Sequence, residues 1–118
     1  MGQIEEKSFQ FAAEVVRAMK AVQREKREFD LSRQLLRSGT SIGANVAEAQ
    51  KAQSDKDFIS KLAIASKEAE ETRYWIRLMI ATEFLSEGLG ETLLAQASDL
   101  VRMLTAAVKT LQAKQLNI

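Results

Sequence analysis

Proline, cysteine and histidine are all absent from this chain of 118 residues. Because proline is the residue that most disrupts a helix interior, its absence favours long, uninterrupted helices. The absence of cysteine excludes disulfides, thiolate nucleophiles and zinc–thiolate sites. The absence of histidine removes the usual general base near neutral pH and the Glu-x-x-His pairs of di-iron bundles. Few enzyme mechanisms remain, so we expect a protein that is not an enzyme and holds no cofactor.

The chain also lacks a large net charge and a long hydrophobic run. Its 17 basic and 16 acidic side chains leave a net charge of +1, so any electrostatic site must be local. No run approaches the roughly 18 uncharged apolar residues of a membrane span, and the first residues lack the pattern of a secretory signal. We therefore expect a cytoplasmic protein without membrane contact, folded as one domain over residues 1–118.

Apolar residues recur at helical spacing along most of the chain. This spacing predicts four amphipathic helices, over about residues 3–28, 31–52, 54–83 and 90–115. Asp30 or Ser32 is expected to cap the second helix, and Ser54 with Asp57 resembles a capping box before the third. Residues 86–91, with two glycines and no periodicity, are expected to form a loop. The pattern predicts an all-α, antiparallel up-down-up-down four-helix bundle.

Small residues form an unusual run inside the second predicted helix. Gly39 and Gly43 lie four residues apart, and glycine inside a helix costs about 1 kcal/mol relative to alanine. The neighbouring Leu35, Ile42 and Val46 keep helical spacing, which predicts one helix rather than two helices and a loop. We therefore expect a neighbouring helix to pack unusually close to this one.

A set of residues on the second and third predicted helices has a pattern typical of one protein family. The set comprises Leu35, Leu36, Arg37, Ser38, Ser41, Ile42, Gly43, Ala44, Asn45, Val46, Ala47, Glu48, Ala49, Ser54, Asp57, Phe58, Glu68, Glu71, Thr72, Tyr74 and Trp75. With this set the chain resembles the small four-helix-bundle proteins encoded by intervening sequences in 23S ribosomal RNA genes, also labelled S23 ribosomal proteins.

That family looks related in fold to the accessory variability determinants of diversity-generating retroelements. Those proteins form pentamers, bind nucleic acid and cooperate with a reverse transcriptase. The resemblance therefore implies a homo-oligomeric, pentameric ring. It also implies that the partner is RNA or DNA, or a protein of the reverse transcriptase type.

The densest basic cluster lies around the end of the first predicted helix. Its candidate nucleic-acid-binding residues are Lys20, Arg24, Lys26, Arg27, Arg33 and Arg37. Phosphate contact is one interpretation, and a ring would strengthen it by repeating the patch. The alternative is a solvated helix end, because Glu25 and Glu28 interleave with the cluster and basic side chains favour a helix C-terminus.

A second candidate site consists of acidic residues that could converge between the second and third helices. These residues are Glu48, Glu68, Glu70 and Glu71. Carboxylates alone can hold magnesium or calcium. In the alternative interpretation, Glu70 and Glu71 are solvated, and Glu48 pairs with an arginine such as Arg37 or Arg73.

Two polar residues, Asn45 and Thr72, fall on apolar faces of predicted helices. Each must find a hydrogen-bond partner or cost about 1 to 3 kcal/mol, so they are expected to bond each other or a neighbouring backbone. In a functional interpretation Asn45 would instead line a ligand pocket beside Ser38 and Ser41. The structural interpretation is that Asn45 fixes the register of the helices.

Candidate interface residues lie on the third and fourth helices. Tyr74 and Trp75 are adjacent, so at least one faces outward and either anchors an interface or covers a corner of the bundle. Leu94, Val101 and Val108 form a second apolar stripe on the fourth helix. That stripe either widens the core face or meets another subunit.

These patterns favour a non-enzymatic, homo-oligomeric bundle that presents basic surface to RNA, to DNA or to a partner that processes nucleic acid. One alternative is a bundle that binds a small molecule or a metal through Glu48, Glu68, Glu71 and Asn45. Another is a self-assembling scaffold with no specific ligand. Salt-sensitive binding of RNA would separate the first hypothesis from the others.

Overall fold

Four helices joined by short connections make up the fold. The computed structural model describes residues 2–116, in which α1 spans Gly2–Lys26, α2 Asp30–Ala49, α3 Asp55–Ala81 and α4 Glu87–Leu116. Residues 2–116 contain no β-strand, which confirms the predicted all-helical, four-helix fold. Met1, Asn117 and Ile118, which the predicted domain includes, lie outside the described residues.

Each helix packs against two others, in the order α1, α2, α3, α4 and back to α1. Between α2 and α3, Arg37 pairs with Glu68, whereas Glu48, further along α2, pairs with Lys61, earlier on α3. Side-chain contacts between α3 and α4 have the same reversed order. The start of α2 therefore lies at the same end of the molecule as the last turns of α3. The described chain measures 53 × 21 × 21 Å.

The core is a continuous column of apolar side chains from all four helices. Its largest fully buried members include Phe11, Met19, Leu35, Ile42, Leu62, Ile76, Met79, Leu93, Leu100 and Leu104. They recur three or four residues apart along each helix, as the apolar stripe of an amphipathic helix requires. No helix in the described range is both long enough and apolar enough to cross a membrane.

The two glycines of α2 face α1 at very short range. A Cβ atom at Gly43 would lie 3.2 Å from the carbonyl oxygen of Ser8, and one at Gly39 would lie 3.0 Å from a methyl carbon of Val15. Helix α2 nevertheless runs unbroken through both positions. The predicted close approach of a neighbouring helix is confirmed, and α1 is that helix.

The cap of α2 differs from the prediction. Neither Asp30 nor Ser32 accepts the free amides of the first turn. The carboxylate of Glu28 accepts the Leu31 amide at 2.9 Å and the Ser32 amide at 2.8 Å. The Ser32 hydroxyl instead donates to the carbonyl oxygen of Glu28 at 2.8 Å. Glu28 takes this role because its longer side chain reaches both amides from outside the helix, at the positive end of the helix dipole.

The start of α3 follows the predicted capping pattern in part. The Ser54 hydroxyl accepts the Asp57 amide at 3.1 Å, as in a capping box. The Asp57 carboxylate accepts the amide of Gln53 at 3.3 Å, one residue before the N-cap. Ser54 is therefore the N-cap of α3.

The predicted loop at residues 86–91 is wrong, because α4 begins at Glu87. The Ser86 hydroxyl accepts the Leu89 amide at 3.3 Å, and its carbonyl oxygen accepts the Gly90 amide at 2.8 Å. A Cβ atom at Gly90 would overlap the side chain of Ile80 in α3. Glycine at this position therefore marks close packing of α4 on α3 rather than a loop.

We expect Gly43→Leu to lower the free energy of unfolding by about 2 kcal/mol or more, because its side chain must displace the α1 backbone at Ser8. Gly88→Leu is the control, since nothing lies within 4 Å of a Cβ atom there. It should change that free energy by less than about 0.5 kcal/mol. Urea unfolding followed by circular dichroism measures both. Equal stability of the two variants would contradict the close packing of α1 on α2.

Candidate nucleic-acid interface

The connection between α1 and α2 is a three-residue turn, residues 27–29. Arg27 has a φ of 57°, in the left-handed region, which lets the chain reverse direction within so short a segment. The end of α1 and the start of α2 therefore lie side by side. Five of the predicted nucleic-acid-binding residues are exposed around this turn, namely Lys20, Arg24, Lys26, Arg27 and Arg33.

Two of these arginines lie over one aromatic ring. The guanidinium carbons of Arg27 and Arg33 are each 5.6 Å from the centroid of the half-buried Phe29 ring. That distance is within the roughly 6 Å at which a cation is attracted to a ring face. A cation–π contact orients a guanidinium group but leaves its positive charge uncompensated. Phe29 therefore holds two charged groups in position at the turn.

Five of the eight arginines of this protein are paired with a carboxylate, and Arg27 and Arg33 are among the exceptions. The paired arginines are Arg17, Arg24, Arg37, Arg73 and Arg102. Within the described residues, Arg27, Arg33 and Arg77 have no carboxylate oxygen within 4.0 Å. Arg77 lies beyond the Arg37 contact toward the end of α3, so all three unpaired arginines are at the same end of the bundle.

Acidic residues at this end limit the positive potential to a local patch. Glu25 lies 3.9 Å from Arg24 in a solvent-exposed pair, which contributes little. Glu28 is turned toward the start of α2 by its two amide hydrogen bonds. Asp30 and Glu87 are exposed in the first turns of α2 and α4, where the helix dipole favours a negative charge. Arg27 and Arg33 are thus distinguished by their contact with Phe29 and by the lack of an ion pair, rather than by net charge.

The sixth predicted residue, Arg37, lies further along α2 in a different setting. Its Nη1 atom is 2.8 Å from Glu68, and its Nη2 atom contacts Glu71. The indole of Trp75 donates a hydrogen bond of 2.9 Å to the same Glu71 carboxylate. Two carboxylates therefore neutralise Arg37, and the group joins α2 to α3.

The Trp75 hydrogen bond is the main reason that the pKa of Glu71 is lowered from its ordinary value, and Arg37 adds to this while burial opposes it. Hydrogen bonds to Glu71 and then Glu68 raise the pKa of Arg37. Glu71 and Arg37 are therefore both ionised at neutral pH. Its chemistry is that of a cross-helix ion pair.

The predicted partner of Glu48 was wrong. Glu48 pairs with Lys61 at 3.1 Å, because both lie toward the far end of the α2–α3 contact from Arg37. Arg73 instead pairs with Glu70 at 2.6 Å on its own helix. The four carboxylates do not converge, and residues 2–116 contain no group of three or more acidic side chains that could hold a metal ion.

Asn45 and Thr72 do not bond each other. The Thr72 hydroxyl lies 2.9 Å from the Ser38 hydroxyl and 2.7 Å from the carbonyl oxygen of Glu68. The Asn45 amide donates to the carbonyl oxygen of Ser41 at 2.9 Å and to its hydroxyl at 3.1 Å. Ser38 and Thr72 therefore form a buried polar link between α2 and α3, whereas Asn45 bonds within α2.

The predicted interface residues all pack partly against the core. Trp75, Leu94, Val101 and Val108 are half-buried there, as is Phe58. Tyr74 is 56% exposed and meets the Trp75 ring edge-on, with centroids 5.1 Å apart. The exposure of Tyr74 confirms that one of the two adjacent aromatics faces outward.

Among the residues whose exposure is described, Phe9 is the most exposed large apolar side chain, and sequence reasoning missed it. It is 75% exposed and borders a shallow cleft of about 440 Å³ between α1 and α2, whose walls include Gly43, Val46 and Ala47. The available signal was that Phe9 lies outside the α1 stripe of Ile4, Phe11 and Val15. Sequence reasoning also missed Phe29, because its contacts with two arginines depend on the shape of the turn.

We expect Glu71→Gln to be less stable than the wild type at neutral pH and to lose less stability in acid. Because the folded-state pKa of Glu71 is below its ordinary value of 4.5, its ionised form stabilises the fold above that value. This contribution is lost as the pH falls through the folded-state pKa. Urea unfolding between about pH 7 and pH 3 measures the effect.

Glu91→Gln is the control for this prediction, since Glu91 is exposed and has no ion pair within the described residues. Its stability should follow that of the wild type across the pH range. Parallel pH curves for Glu71→Gln and the wild type would contradict a stabilising role for the ionised Glu71.

Comparison with known proteins agrees with this fold. The family model of the 23S rRNA-intervening sequence protein matches residues 2–106. A similar solved structure is the crystal structure of a protein of unknown function from the S23 ribosomal protein family of Bacteroides thetaiotaomicron VPI-5482. It is 44% identical, with a TM-score of 0.88, over 90% of this chain and 98% of that one. No curated protein matches the sequence significantly.

The family match covers all of α1, α2 and α3 and much of α4, including every residue of the pattern that carried the resemblance. The similar solved structure independently carries the S23 family name. The predicted resemblance is therefore confirmed. The chain belongs to the 23S rRNA-intervening sequence protein family.

Proposed function

We propose that this protein is a non-enzymatic interaction protein whose basic end binds RNA or DNA, or a partner that processes nucleic acid. The observation that carries the proposal is the collection of the three unpaired arginines, Arg27, Arg33 and Arg77, at one end of the bundle. Unpaired, oriented guanidinium groups are the side chains best suited to phosphate groups. The relation of the family to 23S rRNA intervening sequences also supports a nucleic-acid partner in the cytoplasm.

The proposed contact surface includes the exposed basic residues of the turn. Lys20, Arg24 and Lys26 on α1 would add charge beside Arg27 and Arg33. Arg37 is left out, because two carboxylates already neutralise it. Phosphate contacts of this kind give affinity without sequence preference. Selection of a particular RNA would then depend on its shape or on a second partner, such as a protein of the reverse transcriptase type.

The proposal includes assembly into a homo-oligomer, with a pentameric ring of up-down-up-down bundles as the expected form. The reversed order of contacts between neighbouring helices supports that course of the chain. Exposed Phe9 and Tyr74 supply apolar surface for self-association, beside the half-buried candidates Trp75, Leu94, Val101 and Val108. A ring would bring several arginine-bearing ends together and raise the local positive potential.

The geometry supports the alternatives less well. A metal-binding bundle needs carboxylates with free oxygens, whereas Arg37 binds both Glu68 and Glu71. A pocket built on Asn45 needs its amide to face a ligand, whereas that amide bonds to Ser41. A scaffold with no ligand would leave the oriented arginines without a role. The binding measurement below separates a scaffold from the proposed function.

We expect the wild type to bind a structured RNA in a salt-dependent manner, measured by fluorescence anisotropy. If about three phosphate groups are contacted at each site, affinity should fall roughly 20- to 40-fold between about 50 and 200 mM salt. The triple variant Arg27→Glu, Arg33→Glu, Arg77→Glu should lose this binding. All three positions are exposed, so the variant should keep its helical circular dichroism.

The matched control makes the same charge change elsewhere, as Lys51→Glu, Lys56→Glu, Lys67→Glu. Lys51 and Lys56 flank the α2–α3 connection, at the opposite end from the turn of residues 27–29. The control should retain most of the affinity. Equal loss of affinity in both triple variants would show that RNA binding depends only on the net charge of the protein. Absence of binding by the wild type would refute the proposed function.

For the assembly, we expect light scattering to give a solution mass of about 66 kDa, which is five copies of the 13.2 kDa chain. The apolar surface at Phe9 and Tyr74 should make the mass insensitive to moderate salt, because hydrophobic contacts are not screened. A mass near that of one chain at micromolar concentration would contradict the ring.

A further inference from the structure

The turn at residues 27–29 and the first turn of α2 present two planar guanidinium groups against one aromatic ring. Arg27 and Arg33 both lie over Phe29, at 5.6 Å from its centroid. In the sequence, Arg27 precedes Phe29 by two residues and Arg33 follows it by four. Both side chains are exposed, and neither has a carboxylate within 4.0 Å among the described residues. Each guanidinium therefore keeps its donors free.

A ligand that uses this arrangement fully needs a flat group for stacking as well as a negative charge. A guanidinium group is planar, so it stacks on a nucleobase as well as donating to phosphate oxygens, which an ammonium group cannot do. In a duplex the faces of the bases are covered by their neighbours. In an unpaired strand those faces are open, and stacking contributes to the binding of single strands by most proteins that select them.

We propose that Arg27, Phe29 and Arg33 form a site for an unpaired nucleotide, which rests on the proposed function of nucleic-acid binding at this end. One guanidinium plane stacks on the base, and the guanidinium N–H groups donate to the adjacent phosphate. Phe29 positions the two arginines rather than contacting the base. Arg77, at the same end, is available to a neighbouring phosphate. The shared ligand chemistry is that of single-stranded RNA or single-stranded DNA.

The acidic residues beside the turn favour a ligand that contacts only a small area of this surface. Asp30 is exposed next to the turn, and Glu25 lies one turn back on α1, so a long phosphate backbone crossing the surface would meet both. A single nucleotide stacked on one of the arginines covers less of this surface. The Glu28 carboxylate is expected to repel a phosphate group less, since it accepts hydrogen bonds from the Leu31 and Ser32 amides.

The test uses variants that keep the charge and remove the planar groups. The double variant Arg27→Lys, Arg33→Lys preserves the net charge, and Phe29→Leu preserves an apolar side chain while removing the ring. The control is Arg17→Lys, Arg102→Lys, two exposed arginines on α1 and α4 that pair with carboxylates. Fluorescence anisotropy compares an unpaired RNA of about 12 nucleotides, its duplex and the single-stranded DNA of the same sequence.

We expect the double variant and Phe29→Leu to bind the unpaired RNA about 10-fold more weakly than the wild type, with the duplex affected less than about 2-fold. The control should bind within about 2-fold of the wild type. Equal weakening on single-stranded DNA supports the site and assigns it to either strand type, whereas weakening on RNA alone supports the site and assigns it to RNA.

Two results would overturn the inference in different ways. If the wild type binds RNA but both variants retain their affinity for the unpaired strand, the arginines act as point charges and the proposed function survives without this site. If the wild type binds none of the three probes, the proposed function fails and the inference fails with it. Thermal melting by circular dichroism confirms that Phe29→Leu is folded, and the lysine variant tests the site without touching the packed ring.

Discussion

The close contact between α1 and α2 is the constraint on which the arrangement of the basic end depends. Gly43 brings α2 to within van der Waals range of the α1 backbone at Ser8, and Gly39 brings it against the side chain of Val15. With the two helices so near, a turn of three residues suffices to connect them. That turn places Arg27 and Arg33 on either side of Phe29 in the chain and within reach of its ring. The packing of α1 on α2 thus determines where Arg27 and Arg33 lie at the end of these helices.

The contact between α2 and α3 fixes the other half of this geometry. Arg37 binds Glu68 and Glu71, and the hydroxyls of the next residues, Ser38 and Thr72, meet beside them in the core. These polar pairs have partners on both helices, so they specify one register of α2 against α3. They also occupy the carboxylates that a metal site would need. The residues of the family pattern in this region therefore act to hold α2 against α3.

The sequence was sufficient to predict features that depend on local residue patterns, such as the helices. It was not sufficient to predict contacts that depend on how far a side chain extends toward a neighbouring helix. The helical spacing and the paired glycines were sufficient to predict four helices and the close approach at Gly43. The start of α4 was missed because glycine usually marks a loop, whereas Gly90 is required by the neighbouring Ile80. The pairing of Glu48 with Lys61 depends on the register between helices, which spacing alone does not determine. The role of Phe29 depends on a turn whose shape no motif specifies.

We propose that nucleic acid binds at the end of the bundle where the unpaired arginines lie. Photo-crosslinking of RNA that carries a photoreactive uridine, followed by mass-spectrometric mapping, tests it most directly. We expect cross-links within the α1–α2 turn, at or beside Phe29, and competition by unlabelled RNA. Cross-links concentrated at the Arg37 cluster or at the α2–α3 connection would contradict it.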